Sequence, residues 1–238
     1  MAVTRESRMA PKGKALKGGG EKDAVAAAVA GLATPEKALA SFTALAELAA
    51  TVDGITCEAM EAVLPPSVSA LQAALGAIED EAVVSIATGA AKMISVLAST
   101  ASEACTTVVR AEGLLASLVG LCGGIGIEQL DASPPAAALL EAVCAALKQL
   151  MRHAVGRLLA RQAAVCAPLL ALLSVSLAAH TAVQAEAALA LIAACDSALL
   201  RTQLHMHVPT LLGLLHSVAA DEQQLTRTLQ LLGPCLYD

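Results

Sequence analysis

Two histidines separated by one residue, His205 and His207, are the side chains whose type and spacing first suggest metal chemistry. Imidazole nitrogens bind zinc when further Cys, His or carboxylate ligands converge on the same point. Residues two apart on a helix do not share a face, and no Cys, Asp or Glu is close in sequence to complete a site. We interpret the pair as a helix end on the surface and expect no metal site and no cofactor.

Four glycines, Gly120, Gly123, Gly124 and Gly126, suggest a loop that binds phosphate. Such loops follow a strand and read G-x-x-x-x-G-K-[ST] or G-x-G-x-x-G. The segment CGGIGIEQLDASPP fits neither pattern, no strand pattern precedes it, and no Lys follows the glycines. We therefore predict a flexible Gly-rich insertion between two helices, over residues 122–135.

The adjacent carboxylates of Glu79, Asp80 and Glu81 could serve general acid–base catalysis. They stand where the next helix is predicted to begin, and negative side chains at that end are stabilised by the helix dipole. No Cys-His or Ser-His-Asp arrangement can be assigned elsewhere. We expect no catalytic residue and no enzyme activity, with an all-α enzyme kept as an alternative.

The elements that carry these residues follow from composition. Hydrophobic residues make up 57% of the 238 residues, with one Phe, one Tyr and no Trp. Ala and Leu are the strongest helix formers, whereas the β-branched and aromatic residues that favour strands are mostly absent or scattered. The composition predicts an all-α fold.

The net charge of -6 is unevenly distributed. Residues 1–39 carry seven basic and four acidic side chains, and residues 40–145 carry two basic and twelve acidic ones. No segment combines basic charge with the aromatic side chains that stack on bases, so nucleic-acid binding is not expected. Residues 1–22 lack the apolar core of a secretion signal and are predicted to be a disordered basic tail.

The seven cysteines are far apart in the sequence and odd in number. They are Cys57, Cys105, Cys122, Cys144, Cys166, Cys195 and Cys235. Most lie in apolar helical patterns, which indicates buried thiols in a reducing compartment and not a disulfide framework. The cytoplasm is the predicted location, with the nucleus as an alternative.

The run CAPLLALLSVSLAA, residues 166–179, is uncharged and could be a membrane span. However, LLALL at 169–173 returns as LLGLL at 211–215, and Leu147 and Leu189 are also 42 residues apart. A period of this length, rich in Leu and Ala at helical spacing, indicates a stacked helical solenoid, in which a helix can be apolar nearly all round. An integral membrane protein and an unrelated helical bundle remain the alternatives.

The segment AVQAEAALALIAACDSALLRTQLHMHVPTLLGLLHSV, residues 182–218, resembles an armadillo repeat. HEAT repeats share this architecture and stay open as the subtype. The resemblance implies a right-handed α-solenoid within residues 23–238. Its units are placed at about 35–52 (partial), 53–99, 102–154, 155–195 and 196–236. Eight side chains are predicted to form its core: Leu147, Leu150, Leu170, Leu173, Leu189, Ile192, Leu212 and Leu215.

The resemblance also implies a concave groove, lined by the exposed side of each long helix. Members of the family that clamp peptides carry an Asn there, and its equivalents in this sequence are Glu47, Val96, Gln149, Leu191 and Leu231. None of them is Asn, and the groove Trp residues of nuclear-import adaptors are missing too. This difference argues against the peptide binding of those adaptors.

The remaining expectation is a non-catalytic scaffold that binds a protein partner. The groove would be acidic at one end and apolar at the other, with Arg152 between, and two basic pairs lie close along the chain, Lys148 with Arg152 and Arg157 with Arg161. Such a groove suits an amphipathic or acidic helix that packs on Leu191 and Leu231. The last residues, LLGPCLYD, are less polar than a capping repeat, so self-association through this end, or a longer protein, is an alternative.

Overall fold

The computed structural model describes residues 20–51, 57–100, 102–173, 179–217 and 221–236. These ranges contain fourteen helices and no strand, which confirms the all-α class. The helices are α1 (Gly20–Gly31), α2 (Pro35–Thr51), α3 (Cys57–Gly76), α4 (Glu81–Thr100), α5 (Ser102–Val109), α6 (Leu114–Gly124), α7 (Ile127–Ala132), α8 (Pro134–Met151), α9 (Ala154–Gln162), α10 (Cys166–Ala171), α11 (Thr181–Ala194), α12 (Ala198–His205), α13 (Val208–Ser217) and α14 (Glu222–Leu236).

Five of the longer helices contact one another in chain order. Helix α2 packs against α4, α4 against α8, α8 against α11, and α11 against α14. Two of them begin at polar caps: Asp80 Oδ1 accepts hydrogen bonds from the backbone of Ala82 and Val83 at the start of α4, and Ser133 Oγ accepts one from Ala136 at the start of α8. These caps fix where the two central helices start.

The other helices cover these five and also contact one another in sequence. Helix α3 packs against α6 and α6 against α10, while α5 contacts α9 and α9 contacts α12. Helices α3, α6 and α10 in turn pack on α4, α8 and α11 respectively.

Gly156 in α9 allows a close approach of two helices. A Cβ atom at this position would overlap the backbone carbonyl group of Leu150 in α8. One residue later, Arg157 Nη1 donates hydrogen bonds of 3.0 Å to the carbonyl oxygens of both Met151 and Arg152 at the end of α8. The short helix is thus held against the last turn of the long helix, whose carbonyl groups it satisfies.

The predicted core is only partly correct. Leu147, Leu150, Leu170 and Leu173 are buried, as expected. Leu189, Ile192 and Leu215 are half-buried, and Leu212 is 44% exposed. The correction has a geometric cause: in α13 the interior positions are taken by Leu211 and Leu214, and successive helical residues differ in direction by about 100°.

The uncharged run that could have been a membrane span forms only the short helix α10 at its start, and residues 174–178 lie outside the described part of the chain. Of the described helices, α4 alone is long and apolar enough to cross a bilayer, judged by length and composition. Half of its apolar window is buried within the structure, where it contacts α2, α3, α5 and α8. A central helix with neighbours on several sides has the same composition.

Two predictions about loops need correction or fall outside the structure. Of the predicted tail, residues 1–19 lie outside the described part, but Gly20 to Lys22 belong to α1. The predicted flexible insertion at 122–135 is mostly helical. Helix α6 continues to Gly124, and the side chain of Gln129 accepts a hydrogen bond of 2.9 Å from Gly126 N, which stabilises the start of α7.

Candidate functional site

An open cleft of about 1100 Å³ lies along the exposed side of α2 and α4, beside α7 and the start of α8. The two walls of the cleft come from segments that are about 40 to 90 residues apart in sequence, so only the packed fold creates it. Its lining residues are Leu39, Thr43, Ile78, Glu79, Glu81, Ser85, Thr88, Gly89, Lys92, Glu128, Gln129, Ala132, Ser133, Pro134, Pro135 and Ala138. We refer to this surface as the cleft.

Gly89 sets the spacing of the two helices that form the floor of the cleft. A Cβ atom there would lie 3.2 Å from Leu39 Cδ1 and 3.2 Å from Phe42 Cβ, so α2 and α4 pack closely and a side chain would require these neighbours to shift. The hydroxyl groups of Thr43 and Thr88 are satisfied within their own helices, by the carbonyl oxygens of Leu39 and Val84. The floor therefore offers apolar contact and few free hydrogen-bonding groups.

The rim of the cleft carries most of its charge. Glu79, Glu81 and Glu128 are exposed, and within the described ranges none of these carboxylates has an ion pair or a hydrogen bond. Lys92 is the one basic residue of the lining. Three acidic side chains and one basic side chain give a formal charge of -2, so the cleft favours a ligand with positive charge.

Three of the predicted groove residues lie on the helices that form the cleft. Glu47 is exposed in α2 one turn beyond Thr43, and Val96 is half-buried in α4 one turn beyond Lys92. Gln149 is half-buried in α8, three turns beyond Ala138. Helical spacing places these positions on the same face of their helices as the cleft lining.

The other two predicted groove residues are in the interior. Leu191 in α11 is 0% exposed and Leu231 in α14 is 1% exposed. Both side chains belong to the main hydrophobic core, because their helices turn these positions toward their neighbours. The prediction that Leu191 and Leu231 form a surface on which an amphipathic helix packs is therefore wrong.

The predicted basic pairs do not form one basic patch. Lys148 Nζ forms an ion pair of 2.6 Å with Glu186 Oε2 in α11, and Arg157 is used at the end of α8, with its Nη1 also 3.8 Å from Asp196 Oδ2. Arg152 is exposed and donates a 3.2 Å hydrogen bond to Gln149 Oε1. Lys148 and Arg157 are thus bound within the protein, whereas Arg152 and Arg161 are exposed.

The histidines connect helices. His205 Nδ1 lies 3.0 Å from the carbonyl oxygen of Cys235, His153 Nε2 lies 3.1 Å from that of Ala98, and His180 Nε2 lies 2.9 Å from Asp131 Oδ1. Within the described residues, no three His, Cys, Asp or Glu side chains are arranged to hold a metal ion. These positions account for His153, His180 and His205 as structural contacts.

Six cysteines are described, all of them reduced and buried. Burial raises the pKa of Cys105 to about 11 and, with a smaller contribution from nearby Cys235, raises the pKa of Cys166 and Cys195 to about 12. A thiol with such a pKa is protonated at neutral pH and is a poor nucleophile. The side chain of Cys57 lies outside the described ones.

No protein-family model matches this chain, and no curated protein matches it significantly. The sequence alone does not predict the cleft. It predicts only a helix start at Glu79 and Glu81 and a flexible insertion that contains Glu128. The apolar positions Ile127 and Leu130, three apart and followed by a capped helix start, were the available signal for α7.

Proposed function

We propose that this chain is a non-catalytic protein-binding scaffold, folded as a right-handed armadillo-like α-solenoid, and that its cleft receives a segment of the partner. The observation that carries the proposal is the cleft itself, with its apolar floor and unpaired acidic rim. A cytoplasmic protein fits the reduced state of the buried cysteines.

The order of helix contacts supports the solenoid. Long helices contact long helices in chain order, from α2 to α14, and shorter helices contact their counterparts in the next predicted unit, as α5 does with α9 and α9 with α12. Nearest-neighbour packing of this kind is the defining property of repeat architectures. Small-angle X-ray scattering tests the overall shape, because a solenoid is longer than a compact bundle of equal mass.

The shape and chemistry of the cleft favour a polypeptide ligand. The cleft is open, its lining includes apolar residues such as Leu39 and Ile78, and its acidic side chains are exposed. Enzyme sites and small-molecule sites usually enclose their ligand and converge several polar groups on it. A partner segment with apolar residues toward Leu39 and basic residues toward Glu81 and Glu128 would match this surface.

The expectation of an acidic or amphipathic helical partner, drawn from the sequence, relied on Leu191 and Leu231, which are buried.

A membrane protein is the second candidate, because α4 is long and apolar enough to cross a bilayer. The central position of α4, with contacts to four other helices, supports the scaffold instead. Purification without detergent as a monodisperse folded protein is expected. Recovery of the chain only in detergent would support the membrane alternative.

The cleft is tested with Ser85→Arg, which places a long cation among its lining residues. The matched control is Ser69→Arg, in a separate open cleft of about 830 Å³ between α3 and the α5–α6 turn. Both variants must first show the helical circular dichroism and melting temperature of the wild type.

Wild type and both variants are then used for quantitative, isotope-labelled affinity capture from the cells that express the protein. Binding partners of the cleft should decrease about tenfold or more with Ser85→Arg, which corresponds to about 1.4 kcal/mol or more, and should be retained with Ser69→Arg. Equal recovery with wild type and Ser85→Arg would reject the cleft as the binding surface.

A further inference from the structure

We propose that residues 1–19 of this chain dock in the cleft and compete there with the partner. This regulation rests on the proposed function, since the same surface serves both ligands. Two properties of the chain support the docking: the charge of the segment and the distance it can cover.

The charges of the two surfaces are complementary. Residues 1–19 contain five basic side chains, Arg5, Arg8, Lys12, Lys14 and Lys17, and one acidic side chain, Glu6. The cleft presents three carboxylates without partners in the described ranges, at Glu79, Glu81 and Glu128. Apolar residues such as Met9 and Leu16 lie between the basic ones, and the floor of the cleft is apolar. Both the rim and the floor therefore match this segment.

The segment is long enough to pass along α1 toward the cleft. Helix α1 starts at Gly20, directly after the segment, and packs against α2, which contributes Leu39 and Thr43 to the cleft. Its twelve residues correspond to a helix about 18 Å long. Nineteen residues span up to roughly 60 Å when extended, and a flexible chain of that length has a typical end-to-end distance of about 25 Å.

Three other basic side chains are held within the protein. Lys148 is paired with Glu186, and Arg157 and Arg201 donate to carbonyl oxygens at the ends of α8 and α11. A segment joined to α1 also binds at an effective concentration in the millimolar range, so a weak interaction suffices for occupancy. Residues 1–19 are the most basic part of the chain and are joined to α1, which packs against α2.

Zero-length carbodiimide coupling of the full chain tests the docking. The reagent joins a lysine amine to a carboxylate only when the two are in contact, and mass spectrometry of the digest identifies the pair. Cross-links from Lys12, Lys14 or Lys17 to Glu79, Glu81 or Glu128 are expected. They should decrease about tenfold in 1 M salt, where the screening length is about 3 Å.

The variants Ser85→Arg and Ser69→Arg keep all of these carboxylates and lysines, so a change in cross-linking reports docking and not loss of a reactive group. Ser85→Arg should remove the cleft cross-links, and Ser69→Arg should preserve them. Cross-links of the three lysines spread evenly over acidic residues outside the cleft, such as Glu61 and Glu112, would overturn the proposal.

A one-to-one mixture of light and isotopically heavy chains separates docking within one chain from docking between two copies. Cross-links within one isotope support the proposal, and mixed-isotope cross-links would replace it by exchange between copies. These cross-linking results do not depend on the partner, because the experiment uses the chain alone. Absence of cleft cross-links, together with loss of partner capture by Ser85→Arg, would reject the regulation and leave the proposed function intact. Cleft cross-links with unaffected capture would keep the docking but reject the cleft as the partner's surface, and with it the competition.

Discussion

Lys148 Nζ in α8 lies 2.6 Å from Glu186 Oε2 in α11, and each side chain is only 22% exposed. The two residues are 38 positions apart in sequence, so the ion pair connects consecutive long helices. Sequence reasoning placed Lys148 in a basic patch with Arg152. The structure instead uses its charge to join neighbouring helices.

The first prediction concerns this ion pair. The single variants Lys148→Met and Glu186→Gln and the double variant are compared by urea unfolding. Because both groups are mostly shielded from solvent, we expect a coupling energy of about 1 kcal/mol, at the upper end of the range for surface pairs. A coupling energy close to zero would show that solvent screens the pair completely.

The second prediction concerns Gly156. Its missing Cβ atom allows α9 to contact the carbonyl group of Leu150, and backbone atoms cannot move aside as a flexible side chain can. Gly156→Ala should lower the free energy of unfolding by about 1 to 3 kcal/mol, as overpacking does. The matched control is Gly213→Ala in α13, where a Cβ atom meets nothing within 4 Å. That variant should gain up to about 1 kcal/mol from helix propensity. Equal effects at both sites would contradict the close approach.

The third prediction compares two leucines that are 42 residues apart. Leu147 in α8 is 0% exposed, whereas Leu189 in α11 is half-buried. Leu147→Ala should cost about 2 to 5 kcal/mol because it leaves a cavity in the core, and Leu189→Ala should cost clearly less. Chemical denaturation of both variants measures the difference. A larger loss at Leu189 would place the core on the other side of α11.

These leucines also show what the sequence could predict. Composition was sufficient for the helical class. Composition and the 42-residue period could not specify burial: Leu170 and Leu212 hold the same position in the period, yet the first is 5% and the second 44% exposed. Helix α10 packs against α6, α11 and α12, whereas α13 packs mainly against α14. A repeat pattern predicts where a residue stands within its unit, but not which neighbouring helices cover its side chain.

The groove positions show a second limit. In α4 and α8 the polar residues Lys92 and Gln149 mark the side of the helix that faces outward. Val96 and Gln149, which were predicted to line the groove, are partly exposed. Helix α11 is rich in Ala and Leu and gives no such signal, and its Gln184 is itself buried, where it accepts a 2.6 Å hydrogen bond from Gln224. Leu191 was therefore assigned by resemblance alone, and its orientation could not be derived.

The last prediction concerns pH. Burial raises the pKa of Cys166 and Cys195 from 9.0 to about 12, so between these values the folded protein keeps protons that the unfolded chain has lost. The free energy of unfolding should therefore be constant with respect to these thiols below pH 9 and fall above it. The slope should approach about 1.4 kcal/mol per pH unit for each thiol. Urea unfolding between pH 8 and 10.5 measures it. Lysines titrate in the same range, so Cys166→Ala is the control. Above pH 9, the free energy of unfolding of this variant should fall less steeply with pH than that of the wild type. An unchanged slope would mean that Cys166 is accessible to solvent and ionises near its ordinary pKa in the folded protein.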